Sequence, residues 1–273
     1  MTETPPYLND SLRWIAAEVK YPVLDALAQS VPDGLQERLL ASFPVRQDEN
    51  QLSVSLGPNG PVAQQTNQHR FSRRDRLASV VLGRDAVRLE ATDYPGWSAF
   101  REILTNVLSS LAEFGEPAGI VRLGLRYVDE IRVPTEIQEF SDWSDWIDKR
   151  LVGPFMVEHD PPLNSGTVFL QYGVAPGFVT IQRAGPVSSG RAVQDNGALL
   201  MPVETVDGPY FLMDTDASWT EPAGQIPEFN VDTIGGIFDQ MHASCKQLYE
   251  ESIEQKLRDE VLNQPRPGQG VTK

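Results

Sequence analysis

Asp214 and Asp216 stand two residues apart in the stretch Leu212-Met213-Asp214-Thr215-Asp216. In a strand this spacing turns both carboxylates to one face. A pair of acids so placed can hold a divalent cation or exchange protons with a substrate. A cation needs at least a third oxygen ligand, and the nearest acids are Glu204 and Asp207. The plainer reading is a polar solvent face opposite Phe211, Met213 and Thr215. A second pattern lies in residues 119–133. There Arg122, Arg126, Glu130 and Arg132 share one parity, and Leu123, Leu125, Tyr127, Asp129 and Ile131 share the other. The first set forms a charged, exposed stripe and the second a core face. Such a stripe receives an anionic ligand or partner, or it closes on cross-strand acids such as Glu90 or Asp214. Arg122, Arg126, Glu130, Arg132, Asp214 and Asp216 are therefore the candidate ligand-binding residues.

His69-Arg70-Phe71-Ser72-Arg73-Arg74-Asp75-Arg76 is the one basic cluster. Arg70, Arg73, Arg74 and Arg76 beside Phe71 suit a weak phosphate or nucleic-acid contact, and equally a strand edge carrying protective charge. His69, His159 and His242 have no metal-like spacing with Cys245. His242 and Cys245, at i and i+3 on an apolar helix face, read as core rather than as a nucleophile and its base. No Gly-Lys-Ser/Thr follows the glycine-rich stretches, no Gly-x-Ser-x-Gly elbow is present, and no His-Glu-x-x-His occurs. Neither a catalytic residue, a metal site nor a cofactor is expected.

Hydrophobic spacing predicts the elements that position these residues. Strands are expected over 12–21, 51–56, 66–73, 77–82, 86–92, 119–133, 166–174, 177–183 and 209–217, with another near 198–204. Helices are expected over 33–43, capped by Asp33, over 97–114, over 142–152 and over 231–262. Residues 1–10 and 263–273, rich in proline, glycine and polar side chains, are expected to be disordered tails.

The order repeats. At an offset of 112 residues, identities fall at 18/130, 22/134, 33/145, 38/150, 39/151 and 43/155 without a gap. The expectation is an α+β fold made by tandem duplication of a strand–helix–antiparallel meander–helix unit, with repeats at 11–117 and 118–262. This unit looks like the helix-grip or TATA-binding-protein-like unit. Two copies would make one curved antiparallel sheet with helices on one face and a long C-terminal helix.

Four stretches also resemble a bacterial family of about this length, scattered sporadically among genomes, uncharacterised and known mainly as a family model. They are Arg126-Tyr127-Val128-Asp129-Glu130-Ile131, the Asp93-Tyr94-Pro95 turn before a Trp/Phe helix, the Leu212–Asp216 strand, and His242 in the last amphipathic helix. The resemblance carries over no catalytic residues. A sporadic distribution implies horizontal transfer, which is common for toxin–antitoxin, phage-defence and prophage functions.

The chain has 273 residues and a formal net charge of −15, which argues against a whole-surface nucleic-acid binder. No apolar run is long enough for a membrane span, and the polar, acidic start lacks the features of a signal peptide. The single cysteine, Cys245, excludes an internal disulfide and fits a reducing cytoplasm. In the last helix, Leu248, Ile253, Leu257 and Val261 continue a narrow apolar line between charged flanks, which suits a seam with another chain or docking on the chain's own first half. The resulting expectation is a non-enzymatic cytoplasmic interaction or regulatory protein with a protein partner or a second copy, in a toxin–antitoxin or phage-defence setting. The alternative is a small-ligand-binding protein or enzyme that uses the open sheet face at Arg126, Glu130, Asp214 and Asp216.

Overall fold

The computed structural model describes residues 7–24, 30–57, 60–157, 163, 166–194, 197–201 and 208–265. The strands among them are β1 (Leu12–Lys20), β2 (Val45–Gly57), β3 (Gly60–Ser72), β4 (Ala78–Leu82), β5 (Ala86–Ala91), β6 (Arg122–Ile131), β7 (Val168–Ala175), β8 (Phe178–Val187) and β9 (Tyr210–Trp219). All nine join one antiparallel sheet in the order β2-β3-β4-β5-β1-β6-β9-β8-β7. Read outward from the central β1–β6 pair, both sides follow one rule. The first strand of each half pairs with the last strand of its own meander, and the meander then runs back to the edge. The first half carries one strand more, β2.

The helices are α1 (Ser30–Leu39), α2 (Trp97–Gly115), α3 (Lys149–Val152) and α4 (Val231–Ser252). In α2 the buried set Phe100, Leu104, Val107, Leu108 and Leu111 keeps the helical period, and the helix ends at Gly115 before a left-handed Glu116. Asn230 caps α4 by accepting a hydrogen bond from the Thr233 amide at 2.9 Å. These two helices pack on the sheet face that carries Ile15, Ala17, Val19, Leu123 and Leu125. That cluster also takes in Phe178, Ala217 and Phe238, so a division at residues 117/118 does not divide the core.

Several expected elements are corrected. Helix α1 begins at Ser30, so Asp33 lies in its first turn and is not its cap. Residues 142–152 do not form one helix. They form a 3-10 turn (Phe140–Asp145), then α3, whose cap Asp148 accepts from the Arg150 amide at 2.9 Å. A 3-10 turn sets residues three apart on one line, which suits Trp143 and Trp146, both buried in a second core cluster with Ile147 and Phe211. Residues 198–201 are not strand, and 202–207 lie outside the described residues.

The continuous helix over 231–262 is also corrected. Helix α4 stops at Ser252, and Ile253 adopts an extended conformation that bridges Ile147. Backbone bonds from Asp148 N to Ser252 O and from Glu254 N to Trp146 O, both 2.9 Å, hold the bridge. The chain then makes a short helical turn (Gln255–Leu257) and a π-helical turn (Arg258–Leu262). Ile253 and Leu257 are buried in the second cluster, Val261 packs against it, and Leu248 is half-buried. The apolar line expected to meet a partner is thus largely occupied by the chain's own core. Nor are residues 7–10 a loose tail. Tyr7 donates its hydroxyl to Glu250 Oε2 at 2.9 Å, and the Asn9 amide donates to Leu262 O at 3.0 Å. Residues 1–6 and 266–273 lie outside the described residues. No helix among the described residues is long and apolar enough to cross a membrane.

Candidate functional site

The arginine stripe lies on the sheet face away from α2 and α4, and its charges close on one another. Arg126 grips Asp214 with two bonds, Nε to Oδ1 at 2.7 Å and Nη2 to Oδ2 at 2.8 Å, and lies 5.8 Å from the Trp14 ring centre. Asp214 is 6% exposed and also faces Arg183 Nη1 at 3.4 Å. Arg122 pairs with Glu18 at 3.4 Å. Glu130, 6% exposed, accepts from Arg132 Nε and from the Ala192 amide, each at 2.8 Å. Arg132 also donates to the carbonyls of Gly208 and Gly190. Asp216 is half-buried, and burial raises its carboxyl above the usual range. Arg122 and Arg126 thus pair with acids on neighbouring strands, Arg132 pairs with Glu130 of its own stretch, and none of the six candidate residues lines the pocket on the other side of the sheet.

The basic cluster is dispersed as well. Arg70 is 5% exposed and is held by Glu49 at 2.5 Å, by Ser79 at 2.6 Å and by Glu90. Its strand β3 is interior to the sheet, so Arg70 is no edge charge. Arg73 pairs with Asp75, Arg74 is exposed, and Arg76 occupies a turn at φ 59°.

The pocket lies on the other side of the sheet, between β6, β9, the entry to α2, the middle of α4 and the segment before β1. Its volume is about 150 Å3. From β6 come Tyr127 and Asp129, from β9 Thr215, from the α2 entry Tyr94 and Trp97, and from α4 His242, Cys245 and Tyr249. Strand alternation explains why β6 supplies two polar groups. Tyr127 and Asp129 share the inward face with Leu123, Leu125 and Ile131. The Ser11 hydroxyl donates to Asp129 Oδ1 at 2.9 Å, and its contact with the Tyr249 hydroxyl is 2.7 Å. A serine has one hydroxyl proton, so Tyr249 is the donor to Ser11. The order of donation is therefore Tyr249, Ser11, Asp129.

Next to this chain the Tyr127 hydroxyl shares a 2.8 Å hydrogen bond with His242 Nδ1. The His242 ring stacks on Trp97 with centres 4.4 Å apart and planes 6° apart. Trp97 Nε1 in turn donates to Asp239 at 2.9 Å. Burial dominates the protonation of these groups. It lifts the Asp129 carboxyl to about 7, against which the Ser11 bond pulls down. It lowers His242 to about 4, so the ring is neutral at ordinary pH. It also pushes the Cys245 thiol up. A protonated thiol beside a neutral imidazole that is already hydrogen-bonded to Tyr127 is not an activated nucleophile.

In the sequence analysis the candidate ligand residues lie on the opposite face, and Tyr127 and Asp129 belong to the core face. The sequence signal for this pocket is Asp129 itself, a carboxylate on the apolar parity of a central strand. Once folded, the four stretches Arg126–Ile131, Asp93–Pro95, Leu212–Asp216 and His242 each send a side chain to this one pocket: Tyr127 with Asp129, Tyr94, Thr215 and His242. No family model matches the sequence, and no curated protein does either.

Proposed function

We propose that this chain is a non-enzymatic binding protein that holds a small molecule in the pocket between β6, β9, α2 and α4. The convergence of those four separated stretches on one cavity, lined by aromatic rings and buried polar groups, supports this reading. The polar groups are already ordered by the Tyr249–Ser11–Asp129 and Tyr127–His242 bonds, which favours recognition without rearrangement. The proposal takes up the alternative of a small-ligand-binding protein, keeps it non-enzymatic, and puts the ligand on the helix side of the sheet in place of the open face.

A fragment screen by ligand-observed NMR tests it, run on the full chain and on Cys245→Met, which fills the pocket from α4. Fragments of about six to ten non-hydrogen atoms, the size a cavity near that of benzene accepts, are expected to bind the first and not the second. No hits, or equal hits on both, would overturn the proposal.

We also propose that the sheet arose by duplication of a TATA-binding-protein-like unit, the extra β2 belonging to the first copy. The matching outward order of strands supports it. So does the β1–β6 register, in which Ile15 faces Tyr127 and Trp14 and Ala16 face Val128 and Arg126. Exchanging the two copies at the 112-residue offset maps this set of pairs onto itself.

A further inference from the structure

We infer that the pocket takes a small organic cation, an alkylammonium about the size of benzene or slightly larger, with Asp129 as its counter-ion and the rings of Tyr94, Trp97 and Tyr127 around its apolar part. The inference rests on the reading of the pocket as a ligand site and adds the charge of the ligand.

Asp129 is 7% exposed and lines the cavity. Its Oδ1 accepts from Ser11, and among the described residues no side chain donates to Oδ2 and no lysine or arginine forms an ion pair with it. Every hydrogen bond in the Tyr249–Ser11–Asp129 chain is directed toward the carboxyl, the arrangement that suits an anion. Burial disfavours this anion more than the Ser11 bond and the charge of Arg13 favour it, so its protonated and ionised forms come close to balance near neutral pH. A ligand ammonium in the cavity supplies a cation in direct contact with the carboxylate.

The rest of the lining agrees. Among the described residues it holds the carboxylates Asp10, Asp129 and Glu250 against one basic side chain, Lys246. Arg258 contacts Glu250 at 3.2 Å. The His242 ring adds no positive charge. Tyr94 and Tyr127 meet edge to face, with centres 6.2 Å apart and planes at 89°. Ring faces and phenolic oxygens attract a cation and offer an anion little.

The experiment is calorimetric titration of the full chain with benzylammonium, benzyl alcohol and benzoate, three probes of one shape and different charge. Benzylammonium is expected to bind about tenfold or more tightly than benzyl alcohol, with benzoate weakest, and Asp129→Asn is expected to remove the preference. Should that variant fail to fold, Ser11→Ala is the second test. Losing a donor to ionised Asp129 is expected to weaken benzylammonium several-fold and leave benzyl alcohol unchanged. If the alcohol binds as well as the amine, or benzoate binds best, the cation inference fails while the pocket reading stands. If none of the probes binds, the cation inference fails, and a blank fragment screen would then remove the pocket reading as well.

Discussion

Ile15 and Tyr127 face each other across the β1–β6 ladder, and they are 127 − 15 = 112 residues apart. That separation equals the offset at which the sequence matches itself. In an antiparallel pair of equivalent strands, the residue on the local two-fold axis must face its own counterpart. The self-match and the ladder register are independent observations, and under the proposed duplication they coincide. The same position then has different duties in the two copies. Ile15 is fully buried in the core, while Tyr127 carries its hydroxyl to His242 in the pocket.

Asp129 gives the fold a defined dependence on pH. Its carboxyl rises from the ordinary 3.8 to about 7 on folding. A group raised in this way stabilises the fold most below its unfolded value, and that contribution is lost as pH climbs through the folded value. Asp129→Asn does not titrate, and every other group is common to both proteins. The variant is therefore expected to gain melting temperature relative to the native chain between pH 5 and pH 8. A constant difference in thermal melts across that range would contradict the assigned environment.

His242 works in the opposite direction. Its ring falls from the ordinary 6.5 to about 4 on folding. Its contribution is present above about 6.5 and disappears as pH drops through about 4. His242→Gln is expected to lower stability at pH 7 by removing the Trp97 stack, and to flatten the acid limb of the melting curve. Circular dichroism melts between pH 3.5 and 7 check both.

On the open sheet face, Asp214 and Asp216 are expected to behave differently despite their shared strand. Asp214 is nearly buried and bridges Arg126 and Arg183, so Asp214→Asn is expected to cost about 1–3 kcal/mol in urea unfolding. Burial already disfavours the charge on Asp216, and Asp216→Asn is expected to be close to neutral. Equal losses for the two would deny the bridging role.

The segment after Ser252 is expected to act as core. Leu257→Ala removes a fully buried side chain from the cluster of Trp143, Trp146 and Phe211, which costs about 2–5 kcal/mol. A chain ending at Tyr249 is expected to melt far lower at every concentration, with light scattering giving an unchanged number of copies. A nearly intact melt with a lower mass would restore the intermolecular seam.

Cys245 is buried and its thiol is held protonated by burial. A thiol reagent such as dithiobis-nitrobenzoate is expected to react about as slowly as the chain unfolds, and then with one equivalent in denaturant. Rapid reaction of the native protein would place the thiol at an open surface.

Sequence periodicity by itself located most of the strands, the helix Trp97–Gly115 and the first part of α4, because burying one face fixes a period of 2 or 3.6 wherever an element is amphipathic. It also determined the parity of β6, and hence that Arg126 and Asp129 point to opposite sides. The tertiary structure alone decided what those sides do. Arg126 and Asp214 are 88 residues apart, and only the β6–β9 register brings them together and spends both charges in one pair. Ser11, Asp129 and Tyr249 likewise meet only because β1 lies beside β6 and α4 crosses above them. The end of α4 at Ser252 shows the same limit. Its apolar period runs on past that residue, but Ile253 is buried in a bridge to Ile147, and a one-dimensional pattern holds no sign of a partner a hundred residues away.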